Sequence, residues 1–372
     1  MRGPKLRRIN GDSTWLLQLP LDDAKGATTT FNVLLDPWLD DSSQVDFAPR
    51  FSEQRRLVPS LATSVAALES LLQSESDDDD DDEKKGGPGR ASRHIDAILI
   101  SHPFTDHAHP ETLLDESLPA RIPIYTAPEA GRRLRGLLAH VPSKSQQRNI
   151  VDIEVAKMDE KSAPAWVQDA SLGANVHFVF VPARESIFSA GHGVAWPSLH
   201  GAVLVLYRHP GTATRDIGSF LYSPHGLAPT SVPRWLTRLT ERSQSADDRA
   251  KHVLIQSFDR QELPWILAGT VATGLPGAIE VAVKAFRGDA QGRAYNADYI
   301  LATHDEHKEG AGVVARLLRR YFLGQRNADG STGKSMLAGD IQKQAQALIN
   351  DELQGGRPVT ALVLGTEDRL QL

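Results

Sequence analysis

Between Ser101 and Pro110, His102, Asp106, His107 and His109 fall within eight residues. Imidazole and carboxylate together form a donor set suited to zinc, manganese or iron. The chain contains no cysteine, so disulfides and thiolate metal sites are excluded and any metal must be held by His, Asp or Glu. This polar burst follows the apolar run Ile95–Ile100, which reads as a short buried strand. A strand opening into such a loop is a common place for function. The plain alternative is a polar turn carrying surface histidines.

Asp106 and His107 are the leading metal-ligand candidates, because adjacent residues on a tight turn can aim two different donors at one ion. The alternative for Asp106 is an N-cap or turn carboxylate. His102, at the strand end, is either a ligand or a hydrogen bonder behind one.

The elements that must position these residues can be read along the chain. Strands are expected at Thr14–Leu19, Phe31–Leu35, Ile95–Ile100, Ile122–Thr126, Val151–Val155 and Val176–Val181. More follow at Ala202–Tyr207, Ser219–Tyr222, Val253–Gln256, Tyr299–Ala302 and Thr360–Leu364. Helices are expected at Pro110–Glu116, Pro128–Ala139, Val232–Arg242, Gly277–Phe286, Gly312–Phe322 and Ile341–Leu353. In Gly312–Phe322 an apolar face of Val313, Val314, Leu317, Leu318 and Tyr321 carries the expectation. An early hairpin followed by alternating strands and helices suits an α/β (α+β) protein with two packed sheets and helices outside.

Composition bounds the rest. The chain has 372 residues, 40% hydrophobic and 24% charged, which suits a soluble globular protein. There is no membrane-length apolar run, and the basic start Met1–Asn10 lacks an apolar signal core. A cytoplasmic protein acting on a small molecule, with no membrane partner, is the expectation. The net charge is −6, but Asp77–Asp82 with Glu83 contribute −7, leaving the remainder near +1. A near-neutral body gives no electrostatic case for nucleic acid. Residues 74–92, acidic and then glycine-rich, read as a disordered insertion within one domain spanning 1–372; a regulatory acidic tether is the other reading.

His102-x-Phe104-x-Asp106-His107 resembles the His-x-His-x-Asp-His signature of the metallo-β-lactamase fold. Ser13-Thr14-Trp15-Leu16 and Leu35-Asp36-Pro37-Trp38-Leu39 are further marks, and the resemblance runs roughly from Gly11 to Leu323. It looks closest to the branch containing ascorbate-phosphate lactonase-like hydrolases. The resemblance implies an αββα sandwich of two mixed sheets with outer helices, and a divalent metal at the strand ends.

The sequence departs from the family at several ligands. Phe104 replaces the second histidine and cannot coordinate a metal. The histidine expected after Val176–Val181 is absent, Pro182-Ala183 leading into Arg184-Glu185-Ser186. His192 or His200 could substitute, or be solvated loop histidines. His225 falls at or beside the place of the family's bridging aspartate, and His304 corresponds to its last histidine. Turn or loop-capping roles are the alternatives for these two. His109, outside the pattern, could replace the lost histidine, shuttle protons, or cap the following helix.

The surviving set is Asp106, His107, His225 and His304, with His102 or His109 as extras. That set implies a single-ion site where a metal makes hydroxide available near neutral pH and Asp106 orients it or takes its proton. The expectation is a metal-dependent hydrolase of a small ester, lactone or phosphoester. The alternative is a non-catalytic relative that keeps the fold and binds a ligand or partner.

Overall fold

The computed structural model of the chain describes residues 3–22, 28–82, 94–140, 148–157, 164–165, 175–184, 199–208, 217–242, 250–282, 294–324, 338–353 and 358–372. Two seven-stranded sheets organise them. The first runs in spatial order Arg369–Gln371, Lys5–Arg8, Trp15–Asp22, Thr28–Leu35, Ala97–Ile100, Ile124–Thr126 and Ile150–Asp152. The second runs Thr360–Leu362, Tyr299–Ala302, His252–Gln256, Ile217–Tyr222, Ala202–Arg208, Val176–Val181 and Glu154–Val155.

Thr28–Leu35, Ala97–Ile100 and Ile124–Thr126 are parallel neighbours, as are Ile217–Tyr222, His252–Gln256 and Tyr299–Ala302. Parallel strands need crossover connections that cover the sheet faces, which is why Ala97–Ile100 is apolar throughout rather than alternating. Within Ala97–Ile100, Ala97 and Leu99 pack between the sheets beside Trp15, Val203 and Phe220. Ile98 and Ile100 point the other way, against Leu68 and Leu134 of helices Val65–Asp82 and Pro128–Leu138. The second sheet's outer face is covered by Arg234–Arg242, Gly274–Ala282 and Ala338–Leu353, through side chains such as Leu236, Ala278 and Ile349. The layers are helices, sheet, sheet, helices: the metallo-β-lactamase-like αββα sandwich. Its largest fully buried side chains include Trp15 and Trp38, which sit in or beside the marks on which the resemblance rests.

Two expectations change. Gly312–Phe322 is not one helix: Gly312–Leu317 is helical, and Arg319–Tyr321 is a strand paired with Arg260–Glu262. Tertiary pairing there overrides a local helical pattern. The acidic insertion is not structureless throughout, because helix Val65–Asp82 runs through the carboxylate run, continuing from the buried turns at Val65, Leu68 and Leu72; residues 83–92 lie outside the described residues. Lys5–Arg8 and Arg369–Gln371, outside the span of the resemblance, close one edge of the first sheet.

Two three-stranded sheets were not foreseen. One joins Arg260–Glu262 to Thr270–Thr273 and Arg319–Tyr321; the other joins Ser52–Arg56 to Gln44–Asp46 and Lys308–Ala311. Both contribute residues to the cleft described next.

Candidate metal centre

The carboxyl ends of the parallel strands of both sheets deliver the histidines. Ala97–Ile100 leads to Ser101 and His102, and a tight turn then closes with His107 N–H and Ala108 N–H donating to the Phe104 carbonyl at 3.0 and 2.8 Å. That turn presents Asp106 and His107 side by side. It is pinned from two directions: Ser13 Oγ donates to the Asp106 carbonyl at 2.7 Å, and Arg133 donates to the Pro103 carbonyl at 2.6 Å. From the second sheet, Ile217–Tyr222 ends in the turn carrying His225, and Tyr299–Ala302 ends at His304. Gly226 follows His225 with φ +91°, and a Cβ there would lie 1.9 Å from Thr273 Oγ1, so only glycine lets this turn form.

Four imidazoles meet at this seam. His107 Nε2 and His225 Nε2 are 3.0 Å apart, and the ring centroids of His102 and His107 lie 4.9 Å apart, as do those of His225 and His304. Asp106 reaches in with Oδ1 3.7 Å from His107 Nε2 and Oδ2 3.6 Å from His304 Nε2. Two donor groups result, His102–His107–His225 and Asp106–His107–His304, each with its ligand atoms within 4.8 Å of one another. Donors about 2.1 Å from a tetrahedral ion stand about 3.4 Å apart, so the 3.0–3.7 Å separations around His107 fit such an ion.

Two carboxylates, absent from the sequence-based candidates, stand behind the histidines. Asp36 Oδ2 lies 2.7 Å from His107 Nδ1, and Asp12 Oδ1 lies 2.8 Å from His304 Nδ1. Asp36 also accepts the Ser101 N–H at 2.7 Å and the Ser101 hydroxyl, whose oxygen is 2.6 Å from His102 Nδ1. Carboxylates in this position fix the tautomer and ring orientation of metal-binding histidines. The signal available for Asp36 was its place directly after an apolar strand, in the same relation to Thr28–Leu35 as Ser101 is to Ala97–Ile100. Asp12 carried no comparable signal. Its loop is braced by Asn10, whose Oδ1 accepts the Asp12 and Thr14 N–H groups at 2.9 and 3.0 Å. Asp36 and His304 both hold positive φ, 44° and 59°, a strained conformation that clusters at functional sites.

The electrostatics suit ligation. Burial pushes His102 well below its ordinary value, with His107 adding to the effect; burial does the same to His225, with His304 next. His304 is also lowered by burial, Lys308 reinforcing that against Asp12. All three therefore present neutral imidazoles. Burial disfavours the His107 cation too, but Asp106 and Asp36 outweigh it and raise His107 to about 9. Burial opposes ionisation of Asp106, yet His107, Lys308 and His304 hold it below the usual carboxylate range. His225 Nδ1 is buried and has no hydrogen-bond partner among the described residues.

The remaining sequence candidates fall elsewhere. His109 is not brought to the cluster. It stacks on Trp38 at 5.6 Å between centroids, with Nδ1 3.3 Å from Thr112 Oγ1 and Nε2 3.5 Å from Ser42 Oγ. It occupies the N-cap position of Pro110–Leu114 without capping it through its side chain. His200 is buried rather than solvated, with Nδ1 and Nε2 3.1 and 3.0 Å from the Gly226 and Thr270 carbonyl oxygens. Glu185 and His192 lie outside the described residues. Phe104 stands edge-on to His225 at 6.3 Å, forming a wall where the family pattern has a ligand.

Asp106, His225 and His304 line a cleft of about 410 Å³. Phe47, Phe51, Phe104, Leu263 and Val314 give it apolar walls, and Gln44, Gln261 and Lys308 add polar groups. Among the described residues no helix is long and apolar enough to cross a membrane.

No protein-family model matches the chain, and no curated protein matches it in sequence. Among solved structures it is similar to a long form RNase Z from yeast, at 13% identity and TM-score 0.40, over 83% of this chain and 38% of that one. This chain thus spans little more than a third of the RNase Z chain it matches. It is also similar to unliganded yeast PDE1, at 10% identity and TM-score 0.49, over 100% of both chains.

Proposed function

We propose that this protein is a metal-dependent hydrolase of a small ester, lactone or phosphoester, working with a single divalent ion, zinc in the first instance. The observation that supports it is the convergence of His102, His107, His225, His304 and Asp106, the last three of which line an apolar-walled cleft. When bound, such an ion lowers the pKa of a coordinated water toward neutrality and so supplies a nucleophile. His107 would be the shared ligand, through Nε2, because Asp36 occupies its Nδ1. One imidazole offers one remaining lone pair, so the two donor groups cannot each hold an ion through His107. That supports one ion rather than two. Asp106, at the cleft surface, is placed to orient a water and take its proton. Phe104 and its apolar neighbours would exclude bulk water and seat the substrate body; about 300–1,000 Å³ is usual for small-molecule sites. The marks behind the resemblance to lactonase-like hydrolases have a physical role here: Thr14 Oγ1 donates to the Asp36 carbonyl at 2.8 Å and accepts the Trp38 N–H at 2.9 Å.

The test is metal content after chelator-free purification, followed by assay of zinc-, manganese- and iron-loaded protein on esters, lactones and phosphodiesters. Metal-dependent turnover that a chelator abolishes supports the reading. Loaded protein inert across the panel sinks it, and would leave a ligand-binding relative of the fold.

A further inference from the structure

We infer that the Lys308 ammonium is a fixed replacement for a second metal ion, holding this centre to one divalent cation. The inference rests on the single-ion reading above.

Lys308 begins the strand Lys308–Ala311 and is held in register opposite Arg56. Its Nζ lies 2.7 Å from Asp12 Oδ2 and 3.6 Å from Asp106 Oδ2, with the side chain only 10% exposed. Asp106 Oδ2 is at the same time 3.6 Å from His304 Nε2. The Asp106–His304 side of the cluster is where a second ion would be drawn once the first has taken His107. Lys308 already takes up Asp12 Oδ2 on that side and sets its positive charge 3.6 Å from Asp106 Oδ2. A protonated lysine has three donors and no lone pair, so it supplies positive charge without coordinating anything.

The charge balance gives the reason for a cation there. Asp12 and Asp106 are both buried, and buried carboxylates must be paired. With Asp36, also buried, behind His107, the centre holds three carboxylates; a divalent ion at the shared histidine would offset two of these charges, and Lys308 offsets the third. The ammonium is also held in place from behind, 5.5 Å from the centroid of the Trp38 ring. Removing it would free Asp12 Oδ2 to join Asp106 Oδ2 and His304 Nε2, a three-donor set where the wild-type chain offers two.

The experiment is zinc titration of chelator-stripped protein, with stoichiometry from elemental analysis and melting followed in parallel. Wild type and Lys308→Arg should each take one zinc. Lys308→Met and Lys308→Gln should take a second, weaker one. The neutral variants should melt lower than wild type at one equivalent of zinc and recover as the second is bound, while wild type beyond the first equivalent shows only the shallow logarithmic rise that excess of a single bound ion gives. Neutral variants that stop at one zinc and show no recovery overturn the inference. So do neutral variants that fail to fold even in excess zinc while Lys308→Arg folds. Two zinc ions in wild type overturn it too, and leave the metal centre itself standing. No zinc in wild type removes the metal centre, a distinct failure visible before any variant is made.

Discussion

Asp36 Oδ2 sits 2.7 Å from His107 Nδ1, and both side chains are fully buried. Through the Ser101 hydroxyl the same carboxylate is linked to His102 Nδ1. One acid at the end of one strand therefore orients two imidazoles at the end of its parallel neighbour. Asp36→Asn should keep the fold and the stoichiometry but weaken zinc binding by about 10–100-fold, the usual consequence of losing such a partner. Competition against a chromophoric chelator measures this, and an unchanged dissociation constant would refute the role.

His107 and His109 are two residues apart and should behave oppositely. His107→Ala removes the histidine common to both donor groups, so metal should be lost. His109→Ala should leave metal content intact and cost roughly 0.5–1.5 kcal/mol of stability, the worth of a ring stack such as that on Trp38. Elemental analysis and thermal melting separate the two. Metal loss in His109→Ala would mean that its distance from the cluster misleads.

Asp106→Ala should cut hydrolysis by about 10²–10⁴-fold if the carboxylate handles the proton, beyond whatever zinc it loses. Assay at saturating zinc distinguishes the two contributions. Full activity in this variant would end the assignment of Asp106 even if the protein is a hydrolase.

Phe104→His restores an imidazole where the resemblance expects one, beside His225. Zinc should be held more tightly at unchanged stoichiometry, since Lys308 still guards the other side. Chelator competition again reports it; weaker binding than wild type would show that the wall cannot turn inward as a ligand.

Zinc uptake should depend on pH with a definite sign. His107, raised to about 9 by Asp106 and Asp36 against the effect of burial, keeps its proton through neutral pH in metal-free protein. Ligation must expel that proton, so apparent affinity should climb about tenfold per pH unit up to that value and level off above it. His102, His225 and His304 are lowered and release nothing over this range. Calorimetry in buffers of different ionisation enthalpy should find at least one proton released per zinc near pH 7, the excess over one reporting ionisation of the coordinated water; none would contradict the picture.

Strand positions were legible wherever burial on both faces leaves a continuous apolar run, as in Ala97–Ile100 and Tyr299–Ala302. The short polar strands Gln44–Asp46, Ser52–Arg56 and Lys308–Ala311 were not, because their pairing is decided by distant segments and not by local pattern. The same cause turned Arg319–Tyr321 from the expected helix into a strand. Histidines at strand ends announced themselves by density or by the resemblance. Asp12 and Lys308 did not, since an isolated acid or lysine is indistinguishable from a surface residue until its burial is known; Asp36 showed only its place after an apolar strand, which does not say what it touches.

The ligands divide between the two sheets, His102 and His107 from one and His225 and His304 from the other. A bound ion would therefore act as a rivet across the open end of the sandwich. Its loss would loosen both sheet ends at once, so metal removal should raise hydrogen exchange at the ends of Ala97–Ile100 and Tyr299–Ala302 together. Excess ion at about 100 times its dissociation constant would resist unfolding by roughly 2.7 kcal/mol, and that resistance would be felt by both halves of the molecule together.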